Sequence, residues 1–363
     1  MFMRQGVITP ASPVGAASAF WRTTRLSKLL ARLGQSTSPE VSPAGHRDYV
    51  NYGSRQVFCQ PYEARNVALY GFVFEVPEDR RGRLQTLLDT VLNSRGDGEF
   101  DYRSLVPFVL LTFTDTGSMA SAREPDSDKG VFRYREAALW MLTAGMERRS
   151  RGWAVARLAG FIPYVFVDSS HAMAAGREVY GYPKEFAWLN IQEPDLFGVE
   201  AVALDRFSPA TLGRKSRLLE VRRAAETEPG LDGAWGALPD ACRQIGRLLG
   251  LAEALRIPDL KLLVNLADYL SDGEIPQVFL KQFRDAADGE RACYQAIIET
   301  KGRVTGFHGG GLLKGAYELR LQNFDSHPIA GELGLAENQR AVVSFRVNFD
   351  FVTQPGRELW RAP

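Results

Sequence analysis

Residues 161–189 read FIPYVFVDSSHAMAAGREVYGYPKEFAWL, and they place one lysine, Lys184, within an apolar and aromatic run. Tyr182 precedes this lysine by two positions, and Phe186 follows it by two. Enclosure disfavours the charged form of an amine, and a neutral amine is a nucleophile. The stretch therefore allows two interpretations. Lys184 either forms a Schiff base with a carbonyl compound, or it buries its alkyl chain and extends its ammonium to solvent.

The length and composition are those of a soluble globular protein. A chain of 363 residues can form one large domain with insertions, or two domains. Hydrophobic residues make up 45% and charged residues 24%, both of which are ordinary fractions. The formal net charge of +1 gives no overall electrostatic attraction to nucleic acid, so we expect no nucleic-acid partner.

The three cysteines and four histidines are scattered. The absence of a CxxC motif argues against a zinc ribbon or a disulfide framework, and it favours a reducing, cytoplasmic location. No HxxH or HxxxH spacing occurs, so no metal site is expected. The sequence has no apolar run long enough for a transmembrane helix and no apolar core of a secretory signal near its start.

Residues 1–60 are predicted to be an N-terminal extension. Segments 5–18 and 34–48 are rich in Ser, Pro, Gly and Ala, as loops and tails are. Between them, residues 20–33 place leucines on one helical face and basic residues largely on another. We expect this basic amphipathic helix to dock on its own domain or on a neighbouring subunit. An undocked tail is an alternative, and membrane contact is not expected.

The rest of the chain, 61–363, predicts a domain rich in strands. Strands are expected at 68–76, 105–114, 132–143, 161–167, 197–205, 217–223, 276–283, 293–306, 312–322 and 341–352. A helix is expected from Pro77 to about Leu92, and a short one around 172–177. Residues 234–272 repeat apolar positions at helical spacing, which predicts a helical insertion at about 205–272. In the four strands from 276 to 352, alternation and short turns that contain Gly or Asp favour antiparallel hairpins.

Two glycine-containing segments invite other interpretations. The run His308–Gly311 resembles the oxyanion strip of some esterases, but the chain lacks the GxSxG elbow those enzymes need. We therefore predict a glycine-rich hairpin turn there. The basic run Gly213–Arg217 is predicted to be a solvated turn. No Walker motif and no GxGxxG after a strand is present, so no nucleotide site is indicated.

Among the carboxylates, Glu136 stands out because apolar residues follow it for several positions. Considered alone, it is a glutamate at the start of a strand. If the fold brings Glu136 to Lys184, it can serve as a general acid or base.

The motif GRE at Gly176–Glu178, followed by YPK at Tyr182–Lys184, resembles the active-site motif of the acetoacetate decarboxylase family. In that family the lysine forms the Schiff base and is activated by its surroundings. Tyr134-Arg135-Glu136 also resembles the family's Tyr-x-Glu, whose glutamate faces the lysine. The similarity covers roughly residues 65 to 355, with 205–272 expanded.

This resemblance implies a mainly β (α+β) fold, an antiparallel double β-cone or barrel with flanking helices. It implies that Lys184 and Glu136 are catalytic, and that Arg65, Tyr182 and Arg177 contact a small keto acid substrate. It also implies a homo-oligomer that needs no cofactor, since the imine is the electron sink. We further expect an aromatic wall of Tyr180, Tyr182, Phe186 and Trp188 to keep the site dry.

Two positions depart from the family pattern. Glu185 stands where the decarboxylases carry a second lysine, and Val109 stands where a second glutamate belongs. Glu185 would oppose activation of Lys184 if its carboxylate pointed inward, but not if it pointed away. The preferred function is a lyase that decarboxylates a β-keto acid. The alternatives are a Schiff-base aldolase or dehydratase acting on other oxo acids, and a β-barrel binding protein without a reaction.

Overall fold

The computed structural model describes residues 49–50, 58–95, 98, 100–149, 152–224, 230–250 and 273–363. The chain divides into a unit of residues 1–56 and a unit of residues 57–363. The predicted amphipathic helix at 20–33 lies outside the described residues, as does the second part of the predicted helical insertion. The predicted domain limits therefore stay predictions.

The second unit is mainly β, as predicted. Its described strands are β1 (Tyr62–Glu75), β2 (Phe100–Ser121), β3 (Phe132–Arg149), β4 (Gly152–Val167), β5 (Lys184–Phe186), β6 (Trp188–Gln192), β7 (Leu196–Ala203), β8 (Arg214–Arg223), β9 (Leu231–Trp235), β10 (Glu274–Arg284), β11 (Ala292–Leu313), β12 (Tyr317–Leu321), β13 (Asn338–Arg340), β14 (Val343–Thr353) and β15 (Arg357–Arg361).

The described helices are few and short. They are α1 (Gly82–Leu88), α2 (Ser170–Ala175), α3 (Leu238–Leu248) and α4 (Ile329–Leu333). A π-helical turn extends α1 to Asn93, so the helix predicted to end near Leu92 is confirmed. Another π-helical turn, Gly176–Tyr180, extends α2 towards β5.

The strands form two sheets. The larger has the order β10-β11-β14-β1-β2-β3-β4-β5, with β9 and β15 also paired to β11. Its neighbours are antiparallel except β4–β5, and a second parallel pairing, β10–β4, joins the two sides of the sheet. The smaller sheet has the order β13-β12-β8-β7-β6. The antiparallel pairing predicted for the strands from 276 to 352 is confirmed for β10 with β11 and for β11 with β14, whereas β12 belongs to the smaller sheet.

The main core lies between one face of the large sheet and the small sheet. Phe72 of β1 and Phe113 of β2 are fully buried there, and both contact Phe197 of β7, with ring centroids 5.0 and 5.4 Å apart. Side chains alternate along a strand, so the intervening residues face the other side of the large sheet. Burying each phenylalanine contributes about 1.5–3 kcal/mol. The packing of one face thereby fixes which residues reach the opposite face.

One local prediction is wrong, and a second is wrong in part. The glycines of the run His308–Gly311 lie inside β11 and not in a hairpin turn. A Cβ at Gly310 would lie 2.3 Å from the carbonyl oxygen of Arg346, so the close approach of neighbouring backbone explains the glycine. The basic run Gly213–Arg217 is mostly strand and not turn, because β8 begins at Arg214, but Arg214, Lys215 and Arg217 are exposed, as the predicted solvation requires. Within 205–272, the described residues include β8 and β9 as well as α3.

Candidate active site

The glycine of the GRE motif makes room for Lys184. A Cβ at Gly176 would lie 2.6 Å from Cδ and 2.8 Å from Cε of Lys184. Contacts that short do not occur, so any larger residue at Gly176 would displace the lysine side chain. Gly181, between the two motifs, adopts φ +82° and also faces the backbone of Lys281 closely. The spacing from GRE to YPK thus encodes a tight turn that presents Lys184 on β5.

Arg177 holds the backbone of this turn. Its Nη1 donates to the backbone carbonyl oxygen of Lys184 at 3.1 Å, while its side chain lies at the surface. The structure therefore gives Arg177 a contact that positions the strand carrying the lysine. Its predicted contact with substrate stays a prediction.

Lys184 and Glu136 meet on one face of the large sheet. Lys184 pairs with Val165 of β4, and Glu136 of β3 pairs with Val167, so alternation places both side chains on the same face. Lys184 Nζ lies 2.8 Å from Glu136 Oε2. Lys184 is only 8% exposed, and the Glu136 side chain is 22% exposed. The structure thus brings the predicted nucleophile and the predicted acid–base residue together.

Two tyrosine rings enclose the amine. Lys184 Nζ lies 5.5 Å from the ring centroid of Tyr134 and 5.3 Å from that of Tyr182. The Tyr182 hydroxyl donates to Oε1 of Gln277 at 2.5 Å. Burial, and secondarily the charge of Glu136, raises the pKa of both tyrosines well above the ordinary value. Both phenols therefore stay protonated near neutral pH and cannot act as bases there.

Glu185 points away from the amine. Its Oε2 lies 2.9 Å from Nε2 of His327, which is buried on the other face of β5. Nδ1 of this histidine lies 2.9 Å from Oγ of Ser326. Because consecutive residues of a strand face opposite sides, Glu185 cannot turn towards Nζ without breaking the strand. The sequence allowed Glu185 to point towards Lys184 or away from it. In the structure it points away, so its carboxylate does not oppose activation of the Lys184 amine.

Val109, where the resemblance places a second glutamate, does not share the sheet face of Glu136. Val109 pairs with Met141 and packs in the core between the sheets, on the opposite face from Glu136. The register pairs Glu136 with Thr114, five residues further along β2. Counting along a sequence does not reveal strand register, because one residue of error exchanges the two faces.

Arg65 lies on β1 and forms an ion pair with Glu63. Its Nη2 and Nε lie 2.7 and 3.0 Å from Oε1 of Glu63. This carboxylate balances much of the arginine's charge. The predicted role of Arg65 in binding a substrate carboxylate stays a prediction.

The predicted aromatic wall is only partly present. Tyr182 lies beside the amine, whereas the Tyr180 ring packs edge-on against Tyr182 at 5.6 Å and its hydroxyl donates to the carbonyl oxygen of Gln354 at 3.0 Å. Phe186 and Trp188 are 40% and 42% exposed, so these two rings are not buried as a dry wall would require.

Other residues near Lys184 and Glu136 were not predicted from the sequence. They include Gln277, Phe279, Trp140 and Thr114. Only the strand pairing could have identified them, because they come from three different strands.

The described residues contain no group of three or more His, Cys, Asp or Glu side chains placed to hold a metal ion. In the same part of the chain, no helix has the length and apolar character needed to cross a membrane.

Comparison with solved structures places this arrangement of sheets among acetoacetate decarboxylases. The acetoacetate decarboxylase of Legionella pneumophila has a TM-score of 0.50 and 15% identity, and the match covers 88% of this chain and 94% of that one. A second acetoacetate decarboxylase structure has a TM-score of 0.51 and 14% identity, covering 93% and 99%. The fold is therefore that of acetoacetate decarboxylase, and the predicted resemblance is confirmed at this level.

Another similar structure is the enduracididine biosynthesis enzyme MppR complexed with pyruvate, at a TM-score of 0.50 and 12% identity. That match covers 85% of this chain and 93% of the other. Neither a protein-family model nor a curated protein sequence matches this chain. At these identities the likeness establishes the fold alone.

Proposed function

We propose that this chain is a lyase that forms a Schiff base between Lys184 and a keto acid. The observation that carries the proposal is the enclosed Nζ of Lys184, held 2.8 Å from Glu136 Oε2 between the rings of Tyr134 and Tyr182. A solvated surface lysine would need neither the space left by Gly176 nor a carboxylate on a neighbouring strand. The arrangement is the one expected for an activated amine nucleophile.

In the preferred reaction the substrate is a β-keto acid. The Lys184 amine attacks the ketone carbonyl, Glu136 moves the protons, and loss of water gives an iminium ion. The bond to the carboxylate then breaks, and its electron pair moves to the iminium nitrogen as carbon dioxide leaves. The resulting enamine is protonated on carbon, and water releases the ketone product and the free lysine. Because the imine is the electron sink, these steps need no cofactor.

A second candidate is an aldolase or dehydratase that uses the same imine on other oxo acids. The observation that favours it is Thr114 opposite Glu136, since a neutral hydroxyl stands where a second carboxylate could have faced the first. The similar fold solved with pyruvate shows that an oxo acid can be bound by a protein of this architecture.

The similarity to acetoacetate decarboxylase also supports proposals on the sheet architecture, the location, the oligomeric state and the substrate contacts. We infer that the large sheet, whose two sides are joined by β10–β4, is part of a double β-cone. We further propose that the protein acts in the cytoplasm as a homo-oligomer, with substrate contacts from Tyr182, Arg65 and Arg177.

The direct test is reductive trapping. The protein is incubated with acetoacetate or pyruvate and sodium cyanoborohydride, and its mass and tryptic peptides are then measured, with carbon dioxide release followed in parallel. A stable adduct at Lys184 with gas supports the decarboxylase, and an adduct without gas supports the second candidate. The variant Lys184→Arg keeps the charge and should give no adduct. Failure of the wild-type protein to trap any keto acid leaves only the binding-protein alternative.

A further inference from the structure

Thr114 occupies the position on β2 directly opposite Glu136. The pairing of β2 with β3 is regular from Val109 to Thr116, so alternation places the Thr114 side chain on the face that carries Glu136 and Lys184. Directly opposed residues of antiparallel strands have Cβ atoms about 4.5–5.5 Å apart. A ligand atom bound near Oε1 of Glu136 is therefore within reach of the Thr114 hydroxyl.

The hydroxyls of the two other β2 threonines on this face already have partners within the protein. Thr112 is 3% exposed and accepts a hydrogen bond from Nε1 of Trp140 at 2.9 Å. Thr116 is 1% exposed and lies against the phenol of Tyr134, with which its hydroxyl interacts. Thr114, between them, is half-buried, and no group in the described part of the chain hydrogen-bonds its hydroxyl. Of these three threonine hydroxyls, that of Thr114 is therefore the one that can hydrogen-bond a ligand.

The carboxylate of Glu136 can also accept a further hydrogen bond. Oε2 of Glu136 contacts Lys184 Nζ, whereas Oε1 has no hydrogen-bond donor among the residues that the structure describes. A carboxylate oxygen only accepts, and a threonine hydroxyl both accepts and donates. Together they suit a ligand hydroxyl, which donates to Glu136 and exchanges a second hydrogen bond with Thr114. A ligand carboxylate placed there would be repelled by the charge of Glu136.

We propose that Thr114 and Glu136 Oε1 bind a hydroxyl group of the substrate, and that Thr114 is a specificity-determining residue for hydroxylated oxo acids. The inference rests on the proposed Schiff base, because it places this hydroxyl relative to a carbonyl carbon bonded to Nζ. The hydroxyl then lies on the first or second carbon from that carbonyl. Its position beside Glu136 gives the carboxylate a substrate proton to take or return.

The test compares two probes that differ by one hydroxyl, 2-oxopentanoate and 4-hydroxy-2-oxopentanoate. Each is trapped with cyanoborohydride over a range of concentrations, and the half-saturating concentration for the adduct is read from the intact mass. The wild-type protein should favour the hydroxylated probe by about tenfold, the effect of one good hydrogen bond. Thr114→Val, which keeps the β-branched shape, should bring the ratio close to one. Thr114→Ser keeps a hydroxyl and should keep the preference.

The control variant is Thr90→Val, the same substitution at an exposed helical position, which should leave the ratio and the trapping unchanged. If the wild-type protein traps both probes without preference, or if Thr114→Val keeps the preference, the assignment of Thr114 is wrong while the Schiff base stands. If the wild-type protein traps acetoacetate but neither probe, the assignment of Thr114 is wrong while the Schiff base stands. If it traps neither the probes nor acetoacetate, the Schiff-base function itself is wrong, and the inference falls with it. Thermal unfolding of each variant verifies that the fold is retained.

Discussion

Glu185 and His327 form a hydrogen bond of 2.9 Å on the face of β5 opposite to the Lys184 amine. The carboxyl group next to the proposed nucleophile therefore points away from it. Glu136, from a distant part of the sequence, supplies the carboxylate that does. Two glutamates near one lysine thus lie on opposite faces of the sheet, which only strand geometry distinguishes.

The first prediction compares these two glutamates. Glu136→Gln should slow adduct formation at Lys184 by about 10²–10⁴-fold, the usual contribution of a positioned acid–base group. Glu185→Gln should change that rate by less than about threefold, because its side chain points to His327. The measurement is the rate of trapping with pyruvate under cyanoborohydride. Equal loss in both variants would contradict this division of roles between the two glutamates.

The motif glycine gives a second prediction. Gly176→Ala should reduce trapping at Lys184 strongly and should lower the free energy of unfolding by about 1–3 kcal/mol, because its Cβ would overlap the lysine side chain. Gly82→Ala is the matched control, since a Cβ at Gly82 meets nothing within 4 Å. The same alanine there should be neutral or slightly stabilising in a urea titration. A Gly176→Ala protein with wild-type trapping would show that the lysine does not need its present conformation.

A third prediction concerns the buried histidine. His327→Ala should destabilise the protein by about 1–3 kcal/mol, because it removes the hydrogen-bond partners of Glu185 and Ser326. Its effect on trapping should be smaller than that of Glu136→Gln, because His327 lies behind β5. Urea unfolding together with the trapping rate separates the two effects. A stable His327→Ala protein that cannot form the adduct would instead assign the histidine to the chemistry.

The sequence predicted a mainly β fold from local signals and, through the family resemblance, predicted that Glu136 faces Lys184. Alternation marks strands, and the spacing from Gly176 to Lys184 encodes a turn that a resemblance can recognise. It did not reveal that Thr114 lies opposite Glu136, because the residues of one strand alternate between two faces and the sequence does not show the register with the neighbouring strand. Register is set by packing between sheets, and that packing joins residues far apart in the chain.

The same limit explains the error at His308–Gly311. Glycine-rich runs favour turns, but Gly310 and Gly311 serve the close approach of β14 and β9 on either side of β11. Gln277 was missed for a related reason, since its link to Tyr182 joins β10 to the turn before β5. Such contacts have no signature in the sequence of either segment.

The last prediction is a loss of stability at alkaline pH. Burial raises the pKa of Tyr134 and Tyr182 in the folded protein, whereas in the unfolded chain both titrate near 10. The folded state therefore holds these protons more tightly, and their contribution to stability is complete below about pH 10 and decreases as the pH rises above it. The free energy of unfolding, measured in urea between about pH 8 and pH 11, should fall across the upper part of that range. Tyr134→Phe and Tyr182→Phe have no proton to lose and should each show a shallower decline than the wild-type protein. Tyr49→Phe, at an exposed position, is the control and should follow the wild-type curve. If both core variants decline as steeply as the wild type, the two phenols are not the groups that make the fold sensitive to alkali.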